Sequence, residues 1–254
     1  MTARILAIAN PKGGVGKTTT AINLAAELAA TGAATLLIDA DSQASCSIGL
    51  GLNPYELRLS LYQVLLNPRR PDVLGAAIQT VRPCLDVLPA TPDLSAVENE
   101  LAKVVGREHL LRRALAPILA RYVYVIVDTP PAFGLLTQNA LTLGGAVLAP
   151  VQPEIFPLHA LRELQDNLQL MRDAGVETTL GGVLCTMVDN RTKLARAVQA
   201  AIAESGLPVY RTTIPRNIEV AEAPGHGQPL REYAPESAGA RAYHQLAEEI
   251  MCHD

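Results

Sequence analysis

Short apolar runs alternate along the chain with longer stretches in which apolar positions recur at helical spacing. Residues 4–9 (RILAIA), 34–41 (ATLLIDAD), 85–90 (LDVLPA), 122–131 (YVYVIVDTPP), 146–153 (AVLAPVQP), 181–188 (GGVLCTMV) and 208–215 (PVYRTTIP) read as strands. Their near-continuous apolar character is that of strands covered on both faces. Residues 18–32, 158–175 and 193–206 carry helical periodicity, the first stretch ending at Gly32, and 236–254 read as a closing helix. Strand–helix–strand repetition predicts an α/β fold: a doubly wound, mostly parallel sheet flanked by helices, with right-handed crossovers. Residues 52–84 are less regular and predict helical excursions on the rim. No low-complexity linker interrupts the chain, so a single unit over 1–254 is expected.

Composition narrows this picture. Of the 254 residues 49% are hydrophobic and only 4% aromatic, so the core is built from Ala, Val, Leu and Ile. The net charge of −4 argues against a strongly basic nucleic-acid binder but leaves room for a local basic face. Cys46, Cys84, Cys185 and Cys252 are far apart and form no C-x-x-C pair, which reads as reduced cytosolic thiols without a disulfide or metal role. The first residues lack a signal-peptide layout, no apolar run is long enough to span a bilayer, and the closing residues are acidic or neutral. A cytoplasmic protein that does not engage membranes is expected.

The chemistry concentrates at residues 8–20, IANPKGGVGKTTT, which follow a predicted strand and open a predicted helix. The tail matches the phosphate-binding loop G-x-x-x-x-G-K-[ST], except that Pro11 stands where its first glycine belongs, and Lys12 follows. Backbone N–H groups of Gly13, Gly14, Val15 and Gly16, with Thr19 just inside the helix, would face phosphate oxygens. Lys17 would reach the β- and γ-phosphates and Thr18 would place its hydroxyl on Mg²⁺. Three acids stand at predicted strand ends, where open α/β sheets bind ligands: Asp39, Asp41 and Asp128. Asp128 has the form of a Walker-B acid on the magnesium side. Strand alternation puts Asp39 and Asp41 on one side.

Four segments together, PKGGVGKTTTAINLAAELA, LLIDADSQAS, VIVDTPP and TIPRNIEVAEAPGHGQPL, resemble the ParA (Soj-like) partition ATPases of the deviant-Walker-A, ParA/MinD group. The resemblance runs from residue 4 to about 250 and implies a P-loop ATPase using ATP and Mg²⁺, with slow turnover. It implies that ATP holds two subunits face to face, Lys12 reaching the phosphates of the partner and Gly13 lying where the subunits meet. A second cation on phosphate would offset transition-state charge as an arginine finger does. Lys12, Lys17 and Asp41 are then catalytic, Asp41 positioning the attacking water; Asp39 and Asp128 match the magnesium-side acids alongside Thr18. Pro215, Arg216 and Asn217 match the adenine-recognising segment. Met187 either packs near the base or is an ordinary strand-end core residue.

The family also implies non-specific binding of double-stranded DNA by the ATP dimer, release when a cargo-bound ParB-like partner stimulates hydrolysis, and association with the nucleoid. Arg191 matches a DNA-contact arginine, and Lys193 and Arg196 join it as candidates, with Arg216 and Arg231 nearby in the motif; the alternative is a solvated helix face. Where the family carries a second arginine this chain has Glu219, which removes one phosphate contact and adds repulsion. The loop begins too near residue 11 for a preceding helix-turn-helix domain. The competing readings are a MinD-like or other cargo-positioning ATPase without strong DNA binding, an electron-donating ATPase, and a nucleotide-dependent scaffold. The second of these needs cysteines after Asp128 that the sequence lacks there.

Overall fold

Two apolar faces on every central strand dictate the architecture. In β2 (Thr35–Asp39), Leu36 and Ile38 enter one core while Leu37 enters the other. In β5 (Tyr124–Asp128), Val125 and Val127 divide from Tyr124 and Ile126 in the same way. In β1 (Arg4–Ile8), Leu6 and Ile8 face the second core, with Ala7 and the following Ala9 on the first. Strands buried on both sides need helices on both sides, and roughly 1.5–3 kcal/mol accompanies each large aliphatic side chain taken out of water.

The computed structural model describes residues 3–153 and 157–252. Its sheet has seven strands: β1, β2, β3 (Gln79–Arg82), β4 (Leu85–Leu88), β5, β6 (Gly145–Val151) and β7 (Thr178–Cys185), in the order β3-β4-β2-β5-β1-β6-β7. All pairs are parallel except β3–β4. The helices are α1 (Lys17–Ala30), α2 (Ser45–Gly49), α3 (Leu61–Leu66), α4 (Pro71–Ala77), α5 (Val97–Glu100), α6 (Leu110–Leu115), α7 (Leu135–Leu141), α8 (Pro157–Asp173), α9 (Lys193–Ala203), α10 (Ile218–Glu222), α11 (Leu230–Tyr233) and α12 (Ala238–Cys252). Helices α1 and α12 cover one face; α3, α6, α7 and α8 cover the other. The doubly wound, mostly parallel α/β fold is as expected.

Two elements differ from the sequence reading. Residues 79–82 form an edge strand rather than a helical excursion. Their alternating, half-exposed pattern gives no apolar run, and the reversal into β4 is made by Pro83 and by Cys84 at φ 60°. Residues 208–215 form no strand; they meet the sheet edge at the bridges Val183–Val209 and Val188–Pro215 and through Ile214 N, which donates to the Cys185 carbonyl of β7 at 2.8 Å. The N–H groups of Arg211 and Thr212 donate instead to the Glu249 carboxylate of α12, at 2.7 and 3.0 Å, and Pro208 and Pro215 have no N–H to offer a ladder. The segment therefore leaves the sheet edge between its two anchors. Its far end then lines the candidate site.

Gly145 starts β6 at φ 103°, and a Cβ there would meet the Ile5 carbonyl oxygen of β1. Gly145→Ala is expected to destabilise the fold by about 2 kcal/mol or more. Denaturant unfolding checks this, and an unchanged midpoint would contradict the tight β1–β6 approach.

Candidate active site

The loop between β1 and α1 is held open from below. Asn10, at the end of β1, is buried; its Nδ2 donates to the Pro150 carbonyl at 2.7 Å and its Oδ1 accepts from Lys12 N at 2.8 Å. Gly14 and Gly16 take φ of 74° and 87°, a region open to glycine. The Thr186 hydroxyl, just past β7, donates to the Val15 carbonyl at 2.8 Å. Helix α1 follows directly, with no side-chain cap and no acid in its first turn. Its first N–H groups are left to an anion, favoured there by the helix dipole.

The two loop lysines differ in environment. Lys17 is 8% exposed, and its Nζ donates to the Lys12 carbonyl at 3.0 Å. Burial lowers its pKa, against the attraction of Asp128 and Asp41. The Lys12 side chain is exposed, on the rim of an open cavity of about 630 Å³ shared with Pro131, Phe133, His159 and Glu163. Gly13 is exposed beside it, with open space where a Cβ would stand.

Register brings two acids side by side: Asp39 of β2 pairs with Asp128 of β5, and both are fully buried. Asp39 is well supplied with donors. Its Oδ2 accepts from Ser47 N and Oγ at 2.8 and 2.7 Å, and its Oδ1 accepts from Asp41 N at 3.2 Å. Burial still raises its pKa to about 6. Asp128 has no such support, and neither of its oxygens has a hydrogen-bond partner. The Thr18 hydroxyl favours its ionised form without making a well-formed bond, while burial and then Asp39 push its pKa well up. Asp41 lies past the strand end, half-buried, with Oδ1 accepting from Gln43 N at 3.0 Å.

An orphaned buried carboxylate next to a hydroxyl is an all-oxygen donor set that fits a hard divalent cation. Among the described residues no three His, Cys, Asp or Glu side chains form a metal cage. That agrees with magnesium, which keeps several waters and takes its remaining ligands from phosphate.

Beyond the loop lies a second cavity of about 340 Å³, lined by Gly16, Thr19, Met187, Pro215, Asn217 and Tyr243 among others. Thr186, Ile214, Arg216, Val220 and Ala221 complete the lining. The Asn217 Oδ1 is buried and unpartnered. Met187 is therefore on the cavity wall, at φ 51°. Tyr243 and Thr186 were missed by sequence reasoning. Tyr243 is the one polar tip in the apolar stripe of α12, and its hydroxyl lies 3.3 Å from that of Thr20 on α1.

The basic candidates gather only in part. Lys193 and Arg196 are exposed three residues apart on α9, hence on one face. Arg191 precedes them, 90% exposed and paired with Asp189, and Arg216 is close enough to act on the same acid. Arg231 belongs elsewhere: it pairs with buried Glu27 of α1 at 3.1 Å. Glu219 sits half-buried on α10 beside Glu222.

Raised acids bind their protons more tightly folded than unfolded. The contribution of these two acids to stability without ligand is thus fully present at low pH and is lost as pH rises from about 4, through about 6 for Asp39 and beyond for Asp128. Asp128→Asn removes its share of that penalty. With metal and nucleotide stripped, the variant is expected to melt about 3 °C or more above the parent at about pH 8, the gap closing towards about pH 4. A variant less stable than the parent at the higher pH would contradict the assignment.

A family model described as an AAA domain matches residues 3–180. The chromosome partitioning protein ParA of Caulobacter vibrioides is 46% identical over 98% of this chain and 94% of its own. The sporulation initiation inhibitor protein Soj of Bacillus subtilis is 41% identical over 97% and 98%. Among solved structures, a cobyrinic acid a,c-diamide synthase from Mycobacterium smegmatis, with a bound ATP analogue and magnesium, superposes with a TM-score of 0.87 at 34% identity over 99% and 95%. With the loop and the paired acids in place, this near full-length match means that the chain belongs to the ParA/Soj family within the ParA/MinD group of P-loop ATPases.

Proposed function

We propose that the chain is a Mg²⁺-dependent ATPase that pairs face to face with a second copy when ATP is bound, and that the pair partitions DNA. The observation that carries this reading is Asp128, a buried carboxylate with two unpartnered oxygens set against the phosphate loop. Thr18 and Asp128 would hold the metal and its water, with Asp39 adding negative charge from behind. The bound magnesium would neutralise charge on the β- and γ-phosphate oxygens. Gly13 to Gly16 and the first turn of α1 bind phosphate through N–H groups, and Lys17 adds its ammonium. Asn217 Oδ1 is an acceptor suited to the adenine amino group, with Met187 and Pro215 against the ring and Arg216 and Thr19 at the edges. Asp41 orients the attacking water.

Lys12, exposed on the rim, serves the phosphates of the partner. The paired state then presents Arg191, Lys193 and Arg196 to the DNA backbone, and a ParB-like protein on the cargo triggers hydrolysis. A nucleoid-associated protein follows. The partition relatives, at 46% and 41% identity, support this over the synthase activity named for the 34% neighbour. Asp189 paired with Arg191, and Glu219 in place of the family's second arginine, favour a second reading, a cargo-positioning ATPase with weak DNA affinity.

Two outcomes are expected. Asp41→Ala lowers ATP turnover by about 10²-fold or more while ATP still binds. Retention on duplex DNA requires ATP, is absent with ADP, falls steeply with salt and is lost in Arg191→Glu. Equal retention with ADP, or binding indifferent to salt, sinks the partition reading; undiminished turnover in Asp41→Ala sinks the role of that acid.

A further inference from the structure

Arg191 stands well out from the surface, yet its charge is engaged. Its Nε donates to Asp189 Oδ1 and its Nη2 to Asp189 Oδ2, both at 2.8 Å, the two-pronged geometry in which arginine also grips phosphate. The Arg191 backbone N–H donates to the same Oδ1 at 3.1 Å. Asp189 is 30% exposed against 90% for the arginine, so the acid sits beneath and the cation lies on top of it. The other cation that acts on Asp189 is Arg216, from the segment lining the second cavity. The pair is fixed to the nucleotide cavity: Val188 N donates to Ile214 O at 3.0 Å and Arg216 N to Val188 O at 3.1 Å. Asp189 thus follows directly on the two residues, Met187 and Val188, that join the cavity wall to the 214–216 segment.

We infer that Asp189 is a built-in competitor for the DNA backbone: it occupies the phosphate-binding edge of Arg191, and a phosphate must displace it to be gripped by both prongs. This rests on the DNA-binding reading and gives it a regulation. Exposed ion pairs are weak, so the displacement is reversible, and the acid lowers DNA affinity without abolishing it. It sets a threshold that one protomer alone does not overcome and that two protomers, each offering its basic face, do.

The test is a double-mutant cycle on the full chain, reading dissociation constants for a labelled duplex of arbitrary sequence with ATP and Mg²⁺ across a salt series. Asp189→Asn keeps an oxygen to accept the Arg191 backbone N–H but loses the charge. It is expected to tighten binding by roughly 2- to 5-fold per protomer. In an Arg191→Ala background the same change should gain under about 1.5-fold, because the competed cation is gone. Glu219→Gln, an equal charge change on α10, should gain the same amount with or without Arg191. Equal gains from Asp189→Asn in both backgrounds reduce the effect to net charge and overturn the inference, as does weaker binding by Asp189→Asn. If parent and Asp189→Asn both ignore DNA at every salt, the DNA-binding reading itself falls and takes the inference with it; a parent that binds, with no gain in the variant, removes only the inference.

Discussion

Two carboxylates forced together at the ends of adjacent parallel strands set the terms for everything around them. The β2–β5 register places Asp39 against Asp128, and the helices on both faces leave neither any water. Such a pair is costly unless charge or donors come to it. Ser47 and the Asp41 N–H supply Asp39. Asp128 is left for something the chain does not carry. A ligand that satisfies it stabilises the folded state by mass action, so folding and binding are linked at this one side chain.

The phosphate loop is arranged around the same acids. Asn10 and Thr186 pin the loop to β6 and to the end of β7. Lys17 is drawn down towards Asp128 and Asp41, its ammonium closed over by the Lys12 carbonyl. That leaves the Lys12 side chain exposed on the rim of the open cavity. Replacing the usual glycine by Pro11 stiffens the approach to this lysine, since proline fixes φ. The two lysines therefore stand in different settings, Lys17 buried against the strand-end acids and Lys12 exposed on the rim, the division on which the proposed pairing rests.

The parts legible in the sequence are those whose information is local. The loop is contiguous from Pro11 to Thr19, the strand-end acids close apolar runs, and the paired faces of β1, β2 and β5 show as uninterrupted aliphatic stretches. What escaped depends on partners far along the chain. Ser47 is a common serine until the turn after β2 brings it under Asp39. Tyr243 reads as core until α12 lies across α1 and sets it at the back of the cavity. Residues 208–215 have the composition of a strand, and only the distant Glu249 takes their N–H groups away. Strand β3 is an edge element whose half-exposed residues carry no apolar signal. Arg231 shares a motif with Arg216, yet an ion pair to Glu27 holds it on α1.

Pairing through Lys12 is the claim on which the functional account turns. Sedimentation velocity of the Asp41→Ala protein, in which bound ATP is expected to persist, tests it most directly. With Mg²⁺ and ATP the account predicts a species of twice the chain mass, its collapse to a single chain when ADP replaces ATP, and a single chain under ATP when Lys12→Ala is added. The same mass with ATP and with ADP, or an ATP-dependent pair that survives the loss of Lys12, would contradict it.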